Sequence, residues 1–277
     1  MWKCEDVDIS TFPHFHISTQ PMPRLSVNVN KVATLRNSRG GSSPSVVEAV
    51  GVCLDAGATG ITVHPRADER HIRSRDVHEI VAFLEKRALG RGGVEFNIEG
   101  DPRPGLLEMV REVRPDQCTL VPVIAGEITS QAGWPAETSP DALRATVADL
   151  QARGIRVSLF VDADAEAVRW AASMGAARVE FFTEPFANAF RQGRDAAERS
   201  FRRYADAAEL AHALGLGINA GHDLDLDNLA LFRALPHLDE VSIGHALISH
   251  ALYVGLARAV RDYLSACGAR SYRGSPS

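Results

Sequence analysis

The stretch PDALRATVADLQARGIRVSLFVDADAEAVRWAAS, from Pro140 to Ser173, changes period twice. Pro140–Ala152 has helical spacing and is rich in Ala, Leu and Arg. Gly154 follows, then the β-rich run Arg156–Ala163, then a second helical segment over Asp164–Ser173. A glycine at such a joint supplies the left-handed backbone that closes a helix at little cost. Strands that alternate with helices imply parallel pairing through crossover units.

The cadence repeats in both directions. Further β-rich runs are Leu25–Asn30, Gly60–Pro65, Val94–Gly100, Gln117–Val123, Arg178–Glu184, Gly217–His222 and Glu240–Ile248. Helical segments such as Pro44–Ala56, Asp76–Lys86 and Asp195–Leu214 lie between them. Gly57, Gly175 and Gly215 precede Ile61, Val179 and Ile218 in the same way. Eight such units fit a closed (β/α)8 barrel, an α/β TIM barrel that routinely takes about 250 residues. Strand one is followed by Asn30-Lys31-Val32-Ala33-Thr34-Leu35-Arg36 rather than G-x-G-x-x-G, which argues against an open dinucleotide-binding sheet. The expected organisation is an extension over 1–24, a barrel over 25–266 and a frayed tail over 267–277. Loop one, Arg36–Ser45, is rich in Arg, Gly and Ser and reads as a mobile lid.

Composition narrows the function classes. The 277 residues are 45% hydrophobic and 23% charged, with net charge −5. No basic excess exists to neutralise a nucleic-acid backbone or coat an anionic membrane. No run approaches the ~18 apolar residues of a membrane span. Met1–Met22 carries Glu5, Asp6, Asp8, His14 and His16 and has no secretion-signal core, so a cytoplasmic protein is expected. Cys4, Cys53, Cys118 and Cys267 are far apart and form no C-x-x-C pair, which favours reduced thiols over structural zinc.

Chemistry in this fold sits at the C-terminal ends of the strands. Polar residues collect there: Asn28, Asn30 and Lys31 after strand one, His64 and Arg66 after strand two, and Glu99 after strand three. Thr129 follows strand four; Asp162 and Asp164 end strand five; Glu180 and Thr183 lie on strand six. Strands seven and eight end in Gly221-His222-Asp223 and Gly244-His245. A single strand-end histidine is commonly structural; histidines at three mouths favour a site. Glu99 and Glu180 read either as structural ion pairs with Arg or as carboxyls whose environments divide acid from base roles. Asp162 and Asp164 are well placed to cap the next helix. Glycines after strands seven and eight expose N–H groups to an anion, and Arg36 and Arg39 can close over it. A small phosphorylated substrate is therefore expected.

The run Val27-Asn28-Val29-Asn30-Lys31-Val32-Ala33-Thr34-Leu35-Arg36-Asn37-Ser38-Arg39-Gly40 resembles the opening motif of the pyridoxine 5′-phosphate synthase family. So do Ala56-Gly57-Ala58-Thr59-Gly60-Ile61-Thr62-Val63-His64-Pro65-Arg66, continued by Asp68-Glu69-Arg70-His71-Ile72, then Asn97-Ile98-Glu99, Leu120-Val121-Pro122, Val157-Ser158-Leu159-Phe160-Val161-Asp162-Ala163-Asp164, Asn219-Ala220-Gly221-His222 and Ile243-Gly244-His245-Ala246, in the family's order. The resemblance implies condensation of 3-amino-2-oxopropyl phosphate with 1-deoxy-D-xylulose 5-phosphate to pyridoxine 5′-phosphate, phosphate and water, with no metal or organic cofactor. It implies self-association, typically as an octamer, in the bacterial cytoplasm. Glu99 and His64 match the family's bases, His222 its proton donor and Glu180 its charge-stabilising carboxylate. Asn28, Arg39, Gly244 and His245 match groups holding the amino-ketone phosphate. Arg66, His71 and Thr129 match groups holding the pentulose phosphate.

The chain also departs from the pattern. Asn30-Lys31 stands where the family has Asp-His, and Val123-Ile124-Ala125 where it has Glu-Lys-Arg. Asp223 and Glu184 each replace a glycine. Lys31 can still hold phosphate as a point charge. These changes keep three alternatives open: a paralogous barrel enzyme on another phosphorylated carbonyl, a metal-dependent lyase or hydrolase using His64, His222 and His245, and a non-catalytic phosphate-ester binder.

Overall fold

The structure, a computed structural model, describes residues 21–89, 93–122, 132–135, 138 and 140–269. Its strands are β1 (Arg24–Asn28), β2 (Gly60–Val63), β3 (Glu95–Gly100), β4 (Gln117–Leu120), β5 (Arg156–Val161), β6 (Arg178–Phe182), β7 (Gly217–Gly221) and β8 (Leu238–Ile243). Each pairs in parallel with the next, and β8 pairs with β1 to close the barrel. The helices are α1 (Asn30–Asn37), α2 (Val46–Asp55), α3 (Ser74–Lys86), α4 (Pro104–Val113), α5 (Pro140–Ala152) and α6 (Ala165–Ser173). They continue as α7 (Glu184–Gln192), α8 (Arg194–Ala213), α9 (Leu226–Phe232), α10 (His245–Val254) and α11 (Leu256–Cys267). The expected (β/α)8 barrel is what forms.

Local chemistry accounts for the joints. Gly57, Gly154, Gly175 and Gly215 have φ of 107, 74, 77 and 79°, the left-handed backbone that the helix–Gly–strand cadence demands. Asp164 caps α6 by accepting from the N–H groups of Glu166 and Ala167. Asp162, expected to cap as well, instead accepts from the Gly133 N–H at 3.4 Å.

Four expectations need correction. Strand one stops at Asn28, and Asn30–Asn37 is helical, so part of the expected lid is α1. Arg36 is 3% exposed and grips Asp76 with two parallel bonds of 2.5 and 2.9 Å, so it is not available to clamp a phosphate. The last strand likewise stops at Ile243, because Gly244 turns the chain into α10. At the other end, α11 includes Cys267, where the tail was expected to begin; residues 1–20 and 270–277 lie outside the described residues.

The two faces of the sheet differ sharply. Leu25, Val27, Ile61, Val63, Ile98, Leu120, Leu159 and Phe181 are fully buried between strands and helices. Each such side chain contributes roughly 1.5–3 kcal/mol by leaving water. Tyr204 on α8 adds a hydroxyl bond to the Phe182 carbonyl at 2.5 Å, tying helix to strand end.

The alternate residues point along the axis, and they are polar except for Phe160 and Phe182 at its upper end. At the floor, Arg24 of β1 reaches Glu95 of β3 at 2.7 Å, and Arg156 of β5 pairs with the same carboxylate. Arg178 donates to Asn219 at 2.6 Å. Midway, Ser26 bonds Thr62 (2.7 Å), Asn97 donates to Thr62 (3.4 Å), and Thr119 donates to Asn97 (3.1 Å). Bonds between non-neighbouring strands, such as Thr119 of β4 to Glu180 of β6 at 3.4 Å, are possible only across the interior. Barrels of this kind more often fill that space with branched apolar side chains.

Candidate active site

Glu99 and Glu180 stand at the upper end of this polar axis. Both are buried, at 9% and 4% exposure. Glu99 accepts from the Asn28 amide at 3.4 Å, and Glu180 from the Thr119 hydroxyl at 3.4 Å. Burial and the neighbouring Glu180 and Glu240 push Glu99 well above the usual carboxylate range. Burial lifts Glu180 to about 7, against the opposing pull of the Thr119 hydroxyl and His222. A carboxyl that titrates near neutrality, as Glu180 does, is suited to move protons in either direction. Gly221 makes room for this arrangement: a Cβ there would fall 2.4 Å from Oε1 of Glu180.

The β1–β2 side is cationic. The His64 backbone N–H donates to Asn30 Oδ1 at 2.9 Å, and Asn30 N–H in turn donates to Asn28 Oδ1 at 3.0 Å. The His64 and His71 rings lie edge-on, 5.9 Å apart. Burial, then His71, Arg66 and Arg103, hold His64 down to about 3. Burial, then Arg66 and Lys31, hold His71 down to about 4. His71 Nδ1 accepts from the Ile72 N–H at 2.9 Å, which fixes its tautomer. His64 Nε2 is buried with no hydrogen-bond partner among the described residues. Neutral imidazoles beside Lys31, Arg66 and Arg103 make a proton-exchanging wall next to an anion-attracting one. Arg103 also bonds the Pro65 carbonyl at 2.6 Å, which holds the loop after β2 in place.

The β6–β8 side differs in character. His222 follows β7 with φ of 86°, and its Nδ1 lies 2.5 Å from Asp223 Oδ2. That contact holds the Asp223 carboxyl below its ordinary value. The Phe182 ring meets the His222 ring edge at 5.4 Å, and Val121, Phe160 and Phe182 form a small buried apolar cluster. Gly244 opens α10 and lies so close to Asn28 that a Cβ would sit 3.1 Å from its side chain. His245 is exposed at the first position of α10.

Residues 25–269 match the family model described as pyridoxal phosphate biosynthesis protein PdxJ. The chain belongs to that family. It is 51% identical over 243 residues to the pyridoxine 5′-phosphate synthase of Porphyromonas gingivalis, covering 87% of this chain and 98% of that one. The synthase of Leptospira biflexa is 49% identical over 250 residues, covering 88% and 96%. Among solved structures, thiamine phosphate pyrophosphorylase from Pyrococcus furiosus superposes with TM-score 0.57 at 14% identity, covering 89% of this chain and 95% of that one. A 3-hexulose-6-phosphate synthase gives 0.54 at 14%, covering 88% and 99%. At such identities the likeness is one of fold.

In this PdxJ-family chain the mouth of the barrel brings Asn28, Glu99 and Gly244 together on one side and Glu180, Gly221 and His222 on the other. Asn30, His64, Arg66, His71 and Lys31 line the first. Arg39 is exposed just beyond α1, and its side chain has no hydrogen bond or ion pair among the described residues. Thr129 and Val123-Ile124-Ala125 lie outside the described residues. The metal alternative rested on His64, His222 and His245. The described residues gather a different set, Glu184, His222 and Asp223, with ligand atoms within 4.8 Å of one another. The sequence had pointed to Asn28, Glu99 and Glu180 but not to Arg103 or to the polar layers beneath them. The axis had a signal: a polar residue at every second position in Arg24-Leu25-Ser26-Val27-Asn28 and Glu95-Phe96-Asn97-Ile98-Glu99.

Proposed function

We propose that this chain is a pyridoxine 5′-phosphate synthase, which condenses 3-amino-2-oxopropyl phosphate with 1-deoxy-D-xylulose 5-phosphate and releases phosphate and water. The observation that carries the reading is 51% identity to a synthase along nearly its whole length. The site supports it on chemical grounds. Joining an amine to a ketone, expelling water and phosphate, and aromatising the ring all require repeated proton transfers. Glu99 and His64 serve as bases, His222 as the proton donor, and Glu180 steadies positive charge on the intermediates. Asn28, Arg39, Gly244 and His245 hold the amino-ketone phosphate. Arg66, His71 and Thr129 hold the pentulose phosphate, with Asn30 and Lys31 beside them. Lys31 and Arg66 attract the second phosphate, while neutral His64 and His71 remain able to accept protons.

Purified protein given both substrates should develop the absorbance of a pyridine ring and release one phosphate per ring. Glu99→Gln should lower turnover on the order of 10²-fold or more. Rescue of a vitamin-B6-requiring bacterial strain separates this activity from that of a paralogue on another carbonyl phosphate. Failure both to rescue and to turn over the pair would overturn the reading.

The same reading includes self-association and a cytoplasmic setting. No helix among the described residues is long and apolar enough to cross a membrane. Leu252 and Tyr253, at the end of α10, are 70% and 88% exposed, and Val254 is 41% exposed. A contiguous apolar patch of this kind suits a second copy of the chain. Sedimentation should show an oligomer that Tyr253→Glu dissociates; a monomeric native protein would refute it. Cell fractionation tests the location.

A further inference from the structure

We propose that Asp223 is a positioning residue: its carboxylate and the His222 imidazole form a dyad that fixes which ring nitrogen exchanges protons with substrate. The inference rests on the synthase reading for its kinetic consequence and on the geometry alone for the dyad. Nδ1 of His222 and Oδ2 of Asp223 are 2.5 Å apart, a direct hydrogen-bond contact at or below the short end of the charge-assisted range of about 2.7–2.9 Å. A carboxylate can only accept here, so the neutral ring carries its proton on Nδ1, and Nε2 is the nitrogen that takes up a proton and, from the imidazolium that Asp223 stabilises, passes it to substrate.

The surroundings hold both partners still. The buried Asn228 amide donates to the Asp223 carbonyl at 3.0 Å. Phe182 packs its ring against the imidazole. Among the described residues, Asp223 beside it, Glu184 from the start of α7 and Glu180 from β6 face His222, while Arg191 of α7 and His245 of α10 act on the Asp223 carboxylate. The same trio, Glu184, His222 and Asp223, also has the composition of a metal site. However, metal–ligand bonds of about 2.0–2.2 Å set neighbouring ligand atoms roughly 3 Å apart. The Nδ1–Oδ2 separation is shorter than that and belongs to a hydrogen bond.

The test compares wild type, Asp223→Asn and Asp223→Glu by steady-state kinetics and by 15N spectra of histidine-labelled protein, with His222→Gln used for assignment. The expected spectrum shows His222 as the Nδ1–H tautomer in the wild type. In Asp223→Asn the amide can donate to Nδ1, and that signature is lost. Turnover should fall on the order of 10²-fold in Asp223→Asn with KM changed less than threefold, and Asp223→Glu should recover part of it. Unchanged turnover, a rise in KM alone, or an unaltered tautomer in Asp223→Asn would each overturn the proposal. So would wild-type activity that chelation removes and a divalent cation restores. A wild type that is inactive on both phosphates sinks the synthase reading, and the spectra then decide the dyad by themselves.

Discussion

Glu180 occupies space that any side chain on Gly221 would need. The Cβ of an alanine at 221 would stand 2.4 Å from Oε1 of Glu180, so the carboxylate reaches its place only because β7 carries no side chain there. Gly221→Ala should therefore fold and yet displace Glu180 by about an ångström. Misplacement of that size costs on the order of 10²-fold in rate. Circular dichroism and turnover, measured together, check this; full activity in the folded variant would disprove it.

Glu180 also sets a pH dependence. Its carboxyl titrates at about 7 in the folded protein and near 4.5 when exposed. Between those values the folded state holds a proton that the unfolded chain has released, so stability is greatest below pH 4.5 on this account and declines as pH rises through 7. Glu180→Gln should flatten that decline by on the order of 2 kcal/mol, as measured by urea unfolding at pH 5 and pH 8. Turnover should drop in the same variant.

His64 and His71 work in the opposite direction. Their folded values, about 3 and about 4, lie below the ordinary 6.5. As pH falls below 6.5 the unfolded chain takes up protons that the folded form refuses, and stability is lost. His64→Asn removes one of these groups. Its thermal midpoint should drop less than that of the wild type between pH 7 and pH 5, as calorimetry at the two pH values would show.

Arg36 and Asp76, 3% and 1% exposed, are the fourth test. Removing one partner of a buried ion pair typically costs about 3–5 kcal/mol. Asp76 Oδ2 also accepts from the Arg73 N–H at 2.8 Å at the start of α3, and Arg36 bonds the His71 carbonyl at 3.2 Å. Asp76→Asn should lose stability in that range, as equilibrium denaturation would measure. A loss under 1 kcal/mol would show that the pair is dispensable.

Much of the barrel was legible because its signals are local. The glycine before each of four strands needed only its neighbours to be read, and all four adopt the backbone that the cadence requires. Glu99 and Glu180 were legible as carboxyls within apolar runs at strand ends. Arg36 was misread because its partner lies 40 residues away, and a guanidinium looks the same in sequence whether it waits for phosphate or is already paired. Arg103 went unnoticed for the same reason, since its bond to Pro65 joins two different units. Asp223 is different. It adjoins His222, yet adjacent residues seldom bond each other through their side chains, and the left-handed turn at His222 is what brings them together.

The polar axis divides labour inside the molecule. Cohesion comes from the seam where strands meet helices, so a conservative exchange along the centre line disturbs hydrogen bonds but opens no oily void. Exchanges at Ser26, Thr62 and Asn97 therefore act on the hydrogen-bonded chain that leads up to Glu180, and leave the oily seam as it was. The fold has in effect separated the part that orients the site from the part that closes the barrel.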